Sequence, residues 1–586
     1  MGGFLPRVCL AFFLLLLTRP PVLAAEPVQV VVKGVEGEAG KNVEAALTLP
    51  EGFASDGEVN RFWVERFSRQ VPEKVRRALE PFGYYNASVS SNLETLGPNS
   101  YRLTVEVKEG DPVRVEEIRV AVEGPGSEEN ALKNLAADFP LNRGDILRQD
   151  HYEAAKGGLK AKAVELGYLD ADFSTHVIKV EPSRKAAQVE LVLDTGPRFH
   201  FDDTVFQGAS AYPEGFLRRF LTYKPGDVFS YAQLGQTQLN FLNTDRFKEV
   251  AVTPRLKSAT DSRVPVQIHL TPSPSRRLRP GIGYGTDTGA RVSLKYKDLN
   301  VFGGGQEYSI DFVIAQLSQT LQSNYTIPSS TNINSYTAFR AGLNRETPKT
   351  YTTQSVFGEV ERLRGFGRGR LGSVYLRVLQ ENSDIGGQKV SSHMILPGVR
   401  FSRNGYTDVR RPKSGYQYAL EARGGHQYLG SSTGLFQVLA SANTLIPLPG
   451  RFSLFLRANS GITVQNEPLE AIPASLRFFA GGDKSVRGYA YQSLGPKDTS
   501  GDVVGGKNLL VGSIELERDL FTNWGVAAFY DAGNAFNSFV HINLAQGAGI
   551  GVRWYTPVGP VKVDLARQIG VASPGYRVHV SVGFGF

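Results

Sequence analysis

Two periodicities divide the chain near Pro272. Before it, apolar residues recur at helical spacing in some stretches and alternate over short strands in others. After it, strict two-residue alternation dominates, among many glycines, tyrosines and phenylalanines. The last segment is the clearest: Tyr576, Val578, Val580, Val582, Phe584 and Phe586 share one face, and Arg577, His579, Ser581, Gly583 and Gly585 share the other. Tyr308–Ile314, Tyr416–Arg423 and Val561–Leu565 alternate likewise. About sixteen such strands are countable, many reaching ten residues or more with aromatics near their ends, as a transmembrane barrel requires. A soluble sandwich also alternates, with its apolar face inward. In lipid every backbone group must be paired, so the sheet has to close, and an even strand number returns the terminus to its starting side. The pattern therefore predicts small α+β domains followed by a 16-stranded antiparallel transmembrane β-barrel, with Thr271-Pro272-Ser273-Pro274-Ser275 as the junction.

The first half repeats at roughly 80 residues. Leu141-Asn142-Arg143-Gly144-Asp145-Ile146 parallels Tyr223-Lys224-Pro225-Gly226-Asp227-Val228, and each opens a helical stretch. Helices end at Gly83, at Gly167 and at Asp245, each before a strand that starts with an aromatic. Each unit closes on an alternating strand, Tyr101–Val107, Val189–Leu193 and Val266–Leu270. The coarse order is strand, two helices, two strands.

Composition fixes the compartment. Arg7, the apolar run Val8–Leu17 and the small residues Ala24 and Ala25 read as a secretory signal peptide over residues 1–25. The only cysteine, Cys9, lies inside it, so the mature chain has neither disulfide nor thiolate site. No later run is long and apolar enough for a spanning helix. The net charge of +8 is modest for 586 residues and argues for no nucleic-acid partner. Gly501–Lys507 imitates a phosphate loop but is followed by Asn508 and follows no buried strand. A His-Glu-x-x-His site is lacking, and the eight scattered histidines suggest no metal cluster. Asp498 and Asp502 alone are weak grounds for calcium. The expectation is a chain that is not an enzyme, without cofactor or metal.

The longest loop of the second half, about Gln465 to Gly505, contains Val486-Arg487-Gly488-Tyr489, and a later strand contains Phe529-Tyr530-Asp531-Ala532-Gly533. With these motifs, the repeats and the aromatic end at Phe584 and Phe586, the chain resembles the superfamily of bacterial outer-membrane insertases and two-partner secretion transporters. Its members carry POTRA domains before a sixteen-stranded barrel. Their sixth outward loop folds into the lumen and carries a Val-Arg-Gly-Tyr/Phe motif, and their last strand ends in an assembly signal. The resemblance covers nearly the whole mature chain. It implies POTRA domains at 26–111, 112–196 and 197–271 and a barrel at 276–586. Three units match the translocation-and-assembly-module branch, since general insertases normally carry five and two-partner transporters two.

The resemblance makes Val486 to Tyr489 a loop lock, with Phe529, Asp531 and Gly533 on the wall. Asp531 lies on the polar face of its strand, and an in-folded Arg487 would meet it as a charged hydrogen-bonded pair that Glu515 could join. Gly281, Gly283 and Gly285 in the first strand and Gly583 and Gly585 in the last mark a weak closure seam, expected around Gly283 and Gly583. Such a seam could open to lipid and template a client strand, or its glycines could relieve crowding in the lumen. The expected function is insertion or export of β-rich clients such as autotransporters at the bacterial outer membrane, with the arm in the periplasm. The implied partners are a TamB-like inner-membrane-anchored periplasmic protein, unfolded outer-membrane clients and outer-membrane lipid. The alternatives are a passive channel or receptor with a docking arm, and a two-partner secretion transporter.

Overall fold

The computed structural model describes residues 28–49, 54–55, 58–59, 61–97, 100–406, 412–540, 542–556 and 559–582. The expected signal segment, Gly583, Phe584, Gly585 and Phe586 lie outside the described residues.

The arm holds three three-stranded sheets. In the first, Ser100–Lys108 is central, parallel to Val28–Lys33 and antiparallel to Ser88–Gly97. Helix Arg61–Leu79 buries Val64, Phe67, Val71, Val75 and Leu79 against it, one residue per turn on one face. In the second, Ala186–Asp194 lies between Arg114–Glu123 and Asp172–Glu181 with the same directions. In the third, Arg263–Pro272 lies between Phe247–Pro254 and His200–Gln207.

The repeat read from sequence is a repeat of backbone geometry. Gly83, Gly167 and Asp245 end their helices in the left-handed region, at φ 90°, 96° and 58°. Gly144 and Gly226 are left-handed as well, and each amide donates at 2.8 Å to its unit's first strand, to the carbonyls of Val115 and Phe201. By compactness the chain forms two units. One contains the residues up to Asp202 with Pro225–Ala232 and Leu256–Pro265; the other contains Asp203–Lys224, Gln233–Arg255 and Val266 onward.

The second unit includes a closed antiparallel barrel of sixteen strands among the described residues. In order they are β1 Arg276–Gly285, β2 Gly289–Val301, β3 Gln306–Ala315, β4 Ser318–Pro328, β5 Tyr336–Glu346, β6 Tyr351–Gly365, β7 Arg370–Ile385 and β8 Gln388–Asn404. Then come β9 Gly415–Gly425, β10 Leu435–Leu448, β11 Phe452–Gln465, β12 Asn508–Phe521, β13 Trp524–Phe536, β14 Ala545–Thr556, β15 Gly559–Ile569 and β16 Tyr576–Val582. Its burial pattern excludes the soluble sandwich. Ile514 is 54% and Ile550 66% exposed, whereas Asp531 and Arg553 are 0% exposed. Apolar residues face outward and charges inward, which is stable only with lipid outside. Trp524 and Trp554 stack across β13 and β14 at 5.5 Å, beside the exposed Phe521, as girdle residues do.

β7 and β8 pair continuously from Arg370↔Arg403 to Ile385↔Gln388, and among the described residues β1 and β16 pair at Gly285↔Ser581. The expected closure around Gly283 and Gly583 falls on Gly583, which lies outside the described residues. On its other side β1 pairs with β2, Gly281 with Ser293 and Gly283 with Arg291. Opposite this seam Glu359 and Glu361 are clamped by Arg340 and Arg400, and Arg377 joins Glu359 at 2.7 Å, stiffening β5 to β8.

Candidate functional site: the loop lock in the barrel wall

Between β11 and β12 lies the sixth outward loop, residues 466–507. Short bridges, Phe478↔Gly506 and Ala480↔Leu494, fold it on itself, and Val486 is fully buried. This brings Arg487 against the inner faces of β12 to β15.

Arg487 meets Asp531 in a two-pronged ion pair, Nε to Oδ2 at 2.7 Å and Nη2 to Oδ1 at 3.0 Å, and its own amide donates to Oδ2 at 3.1 Å. Nη1 reaches Glu515 at 2.7 Å and Asp564 at 3.1 Å. The guanidinium lies 3.4 Å from the Phe529 ring centre. Ser513 donates to Asp531 at 2.6 Å. Arg553 bridges the far sides of Glu515 and Asp564 at 2.7 and 2.5 Å. Two guanidiniums thus sit among three carboxylates, each charge partnered, as buried charge demands.

Glycines make room for this. A Cβ on Gly547 would lie 2.0 Å from the Arg487 carbonyl, and one on Gly549 2.5 Å from the Phe529 ring. One on Gly551 would strike Asp564 at 1.8 Å. Alternate glycines on the inward face of β14 are therefore the groove that receives the loop and its ring. Gly488, at φ 95°, turns the chain after Arg487; its amide donates to His579 Nε2 and its carbonyl accepts from Gln568, both at 3.0 Å. Tyr489 takes a backbone hydrogen bond from Gln546. Gly533 pairs with Val511, where a Cβ would meet the Leu510 carbonyl at 2.7 Å.

The fold gathers Val486 to Tyr489, Glu515, Phe529 and Asp531 in one place. Sequence reasoning missed Ser513, Arg553, Asp564, the β14 glycines and His579. Alternation puts Asp564 and His579 on the polar face, and Gly547-x-Gly549-x-Gly551 is a visible signal, but neither says what lies across the lumen. The ligand atoms of Asp287, Asp483 and His579 lie within 4.8 Å of one another, a trio no spacing reveals. Asp498 accepts from the amides of Ser500 and Asp502, closing a turn in the loop.

A periplasmic arm of small sheets, an inside-out barrel and a loop docked on the wall through Arg487 and its neighbours define an outer-membrane protein of the POTRA-plus-barrel class. The Omp85 superfamily domain matches residues 300–586, and POTRA domain TamA domain 1 matches residues 29–109. The chain belongs to the Omp85 superfamily and resides in the outer membrane with its POTRA arm in the periplasm. It is 21% identical over 501 residues to outer membrane protein assembly factor BamA of Nitratidesulfovibrio vulgaris, spanning 82% of this chain but only 62% of that protein. It is 21% identical over 575 residues to BamA of Neisseria meningitidis serogroup B, spanning 87% of this chain and 71% of that protein. BamA from Haemophilus ducreyi lacking POTRA domains 1–3 has the same fold, with a TM-score of 0.66 and 17% identity over 80% of this chain and 99% of that one.

Proposed function

We propose that this chain is a TamA-type translocation and assembly factor that inserts or exports β-rich outer-membrane clients, autotransporters among them, through its barrel seam. The observation that carries this is the seam itself. There β1 meets β16 at Gly285↔Ser581, and Gly281, Gly283 and Gly285 give the β1 side of the join no side chain to pack, so that edge can part and template an incoming strand. The work is strand templating, with no chemical step. In the first arm domain the edge strands Val28–Lys33 and Ser88–Gly97 offer backbone to a TamB-like partner in the same way.

A disulfide between Gly285→Cys and Ser581→Cys tests this, since directly paired residues lie within bridging distance. The crosslinked barrel should stay folded and lose client assembly, and reduction should restore it. Normal assembly through a fully crosslinked seam would end the proposal.

A further inference from the structure

Beside the seam pair Gly285↔Ser581, other bonds converge on one residue of the loop. Asp483 donates its amide to Asp287 Oδ2 at 2.7 Å. Its Oδ1 accepts from the Thr286 hydroxyl at 3.1 Å and lies 2.5 Å from His579 Nδ1. Thr286 and Asp287 form the turn after β1, and His579 belongs to β16. The same Thr286 hydroxyl accepts from the Val580 amide at 3.3 Å, and the Thr286 amide donates to the Val580 carbonyl at 3.0 Å. One loop carboxylate is therefore held from both sides of the gap.

The histidine decides what kind of site this is. Its Nε2 accepts from the Gly488 amide at 3.0 Å, so that nitrogen carries a lone pair and the ring proton sits on Nδ1, aimed at Asp483. A cation on Nδ1 would move the proton to Nε2, facing the Gly488 N–H donor head-on. The trio of Asp287, Asp483 and His579 is accordingly a hydrogen-bond node rather than a metal centre. It is also continuous with the lock, because Gly488 follows Arg487.

We infer that Asp483 is the clasp of the seam and His579 the residue that positions it: β1 and β16 part only when the sixth loop lets go of both. The loop then reports its docking to the gap through two consecutive links, Arg487 on the wall and Asp483 across the opening. The geometry stands by itself, and its consequence for clients rests on the seam-opening function proposed above.

The test uses the full chain in outer membranes with Ser581→Cys as its single mature cysteine, and measures maleimide labelling at the seam. Asp483→Ala should raise the labelling rate on the order of tenfold, one hydrogen-bonded link being worth about that factor. Thr286→Val, which removes only the hydroxyl, and His579→Asn, which keeps a donor near Nδ1 but loses the acceptor for Gly488, should raise it less. The temperature at which the folded band is lost in SDS separates local opening from general loosening: it should hold in Thr286→Val and His579→Asn even if Asp483→Ala lowers it. Parent-like labelling in the folded Thr286→Val and His579→Asn barrels would overturn the clasp. Faster labelling with unchanged client assembly would leave the clasp standing and remove seam opening as the route of insertion.

Discussion

Arg487 carries its neighbours' charges, so the variants around it should not be equivalent. Removing the Arg487 side chain leaves Asp531 with the Ser513 hydroxyl and the amide of residue 487, and Glu515 and Asp564 sharing Arg553. Removing Asp531 leaves Arg487 still paired with Glu515 and Asp564. Arg487→Ala should therefore lower barrel stability by about 3–5 kcal/mol, the range for breaking a buried pair, and Asp531→Ala by less. The double variant should be little worse than Arg487→Ala, because contacting residues are not additive. SDS unfolding and a client-export assay read all three, and additive losses would argue against a direct pair. Gly547→Ala offers an independent check, since its Cβ would displace the Arg487 backbone. It should impair export as Arg487→Ala does, while Gly358→Ala, which has open space, should not. At this scale the motifs made Arg487 and Asp531 legible, and strand alternation turned Glu515 towards them. Asp564 and Arg553 were not legible, because alternation tells which way a side chain faces and register across a closed wall tells what it meets.

Among elements, the turn after β1 is the one that pH should move. Burial, then the charge of Asp483, raises the Asp287 carboxyl to about 6 from an ordinary 3.8, with His579 the other titratable group facing it. An acid whose folded pKa lies above its unfolded one binds more protons when folded. Its contribution is therefore present at low pH, declines as pH rises from 3.8 to about 6, and is lost above that. Measured against an exposed reference cysteine, which corrects for the thiolate fraction, the seam should label faster at pH 7.5 than at pH 5. Asp287→Asn, which accepts from the Asp483 amide and stays neutral, should flatten that difference and slow labelling at pH 7.5. An undiminished pH response in Asp287→Asn would assign it to another group. Elements themselves were largely readable: the long alternating strands and the glycine helix stops follow from local chemistry. The closing register, Gly285↔Ser581, is set by stagger, a property of the closed sheet that no single strand encodes.

For the molecule, three repeats before an even-stranded barrel were visible in the periodicity, and a Pro-Ser junction suggested a third domain with little freedom. What holds it was not visible. Arg246, buried in the second compact unit, pairs with Glu307 at 2.7 Å, donates to the Gly305 carbonyl at 3.1 Å and to the Leu299 carbonyl, and lies 5.1 Å from the Phe216 ring centre. Arg219 donates to the carbonyls of Ile333 and Asn332 at 2.9 and 3.2 Å. The Gly305, Asn332 and Ile333 carbonyls belong to the turns entering β3 and β5, Leu299 lies near the end of β2, and the junction is itself bonded, Leu299 N–H to the Ser275 carbonyl at 2.9 Å. Two arginines on the third domain thus fasten it to barrel turns, so it should work as part of the barrel. Arg246→Ala removes the central fastening and leaves Glu307 with Lys297, 3.0 Å away, so the barrel should still fold. The freed domain should expose Thr271–Ser275 to protease, raising cleavage there on the order of tenfold, and client assembly should fall in step. Limited proteolysis of outer membranes alongside an export assay measures both. Cleavage that rises while export stays at the parent level would show that the third domain need not be held to the barrel for clients to pass.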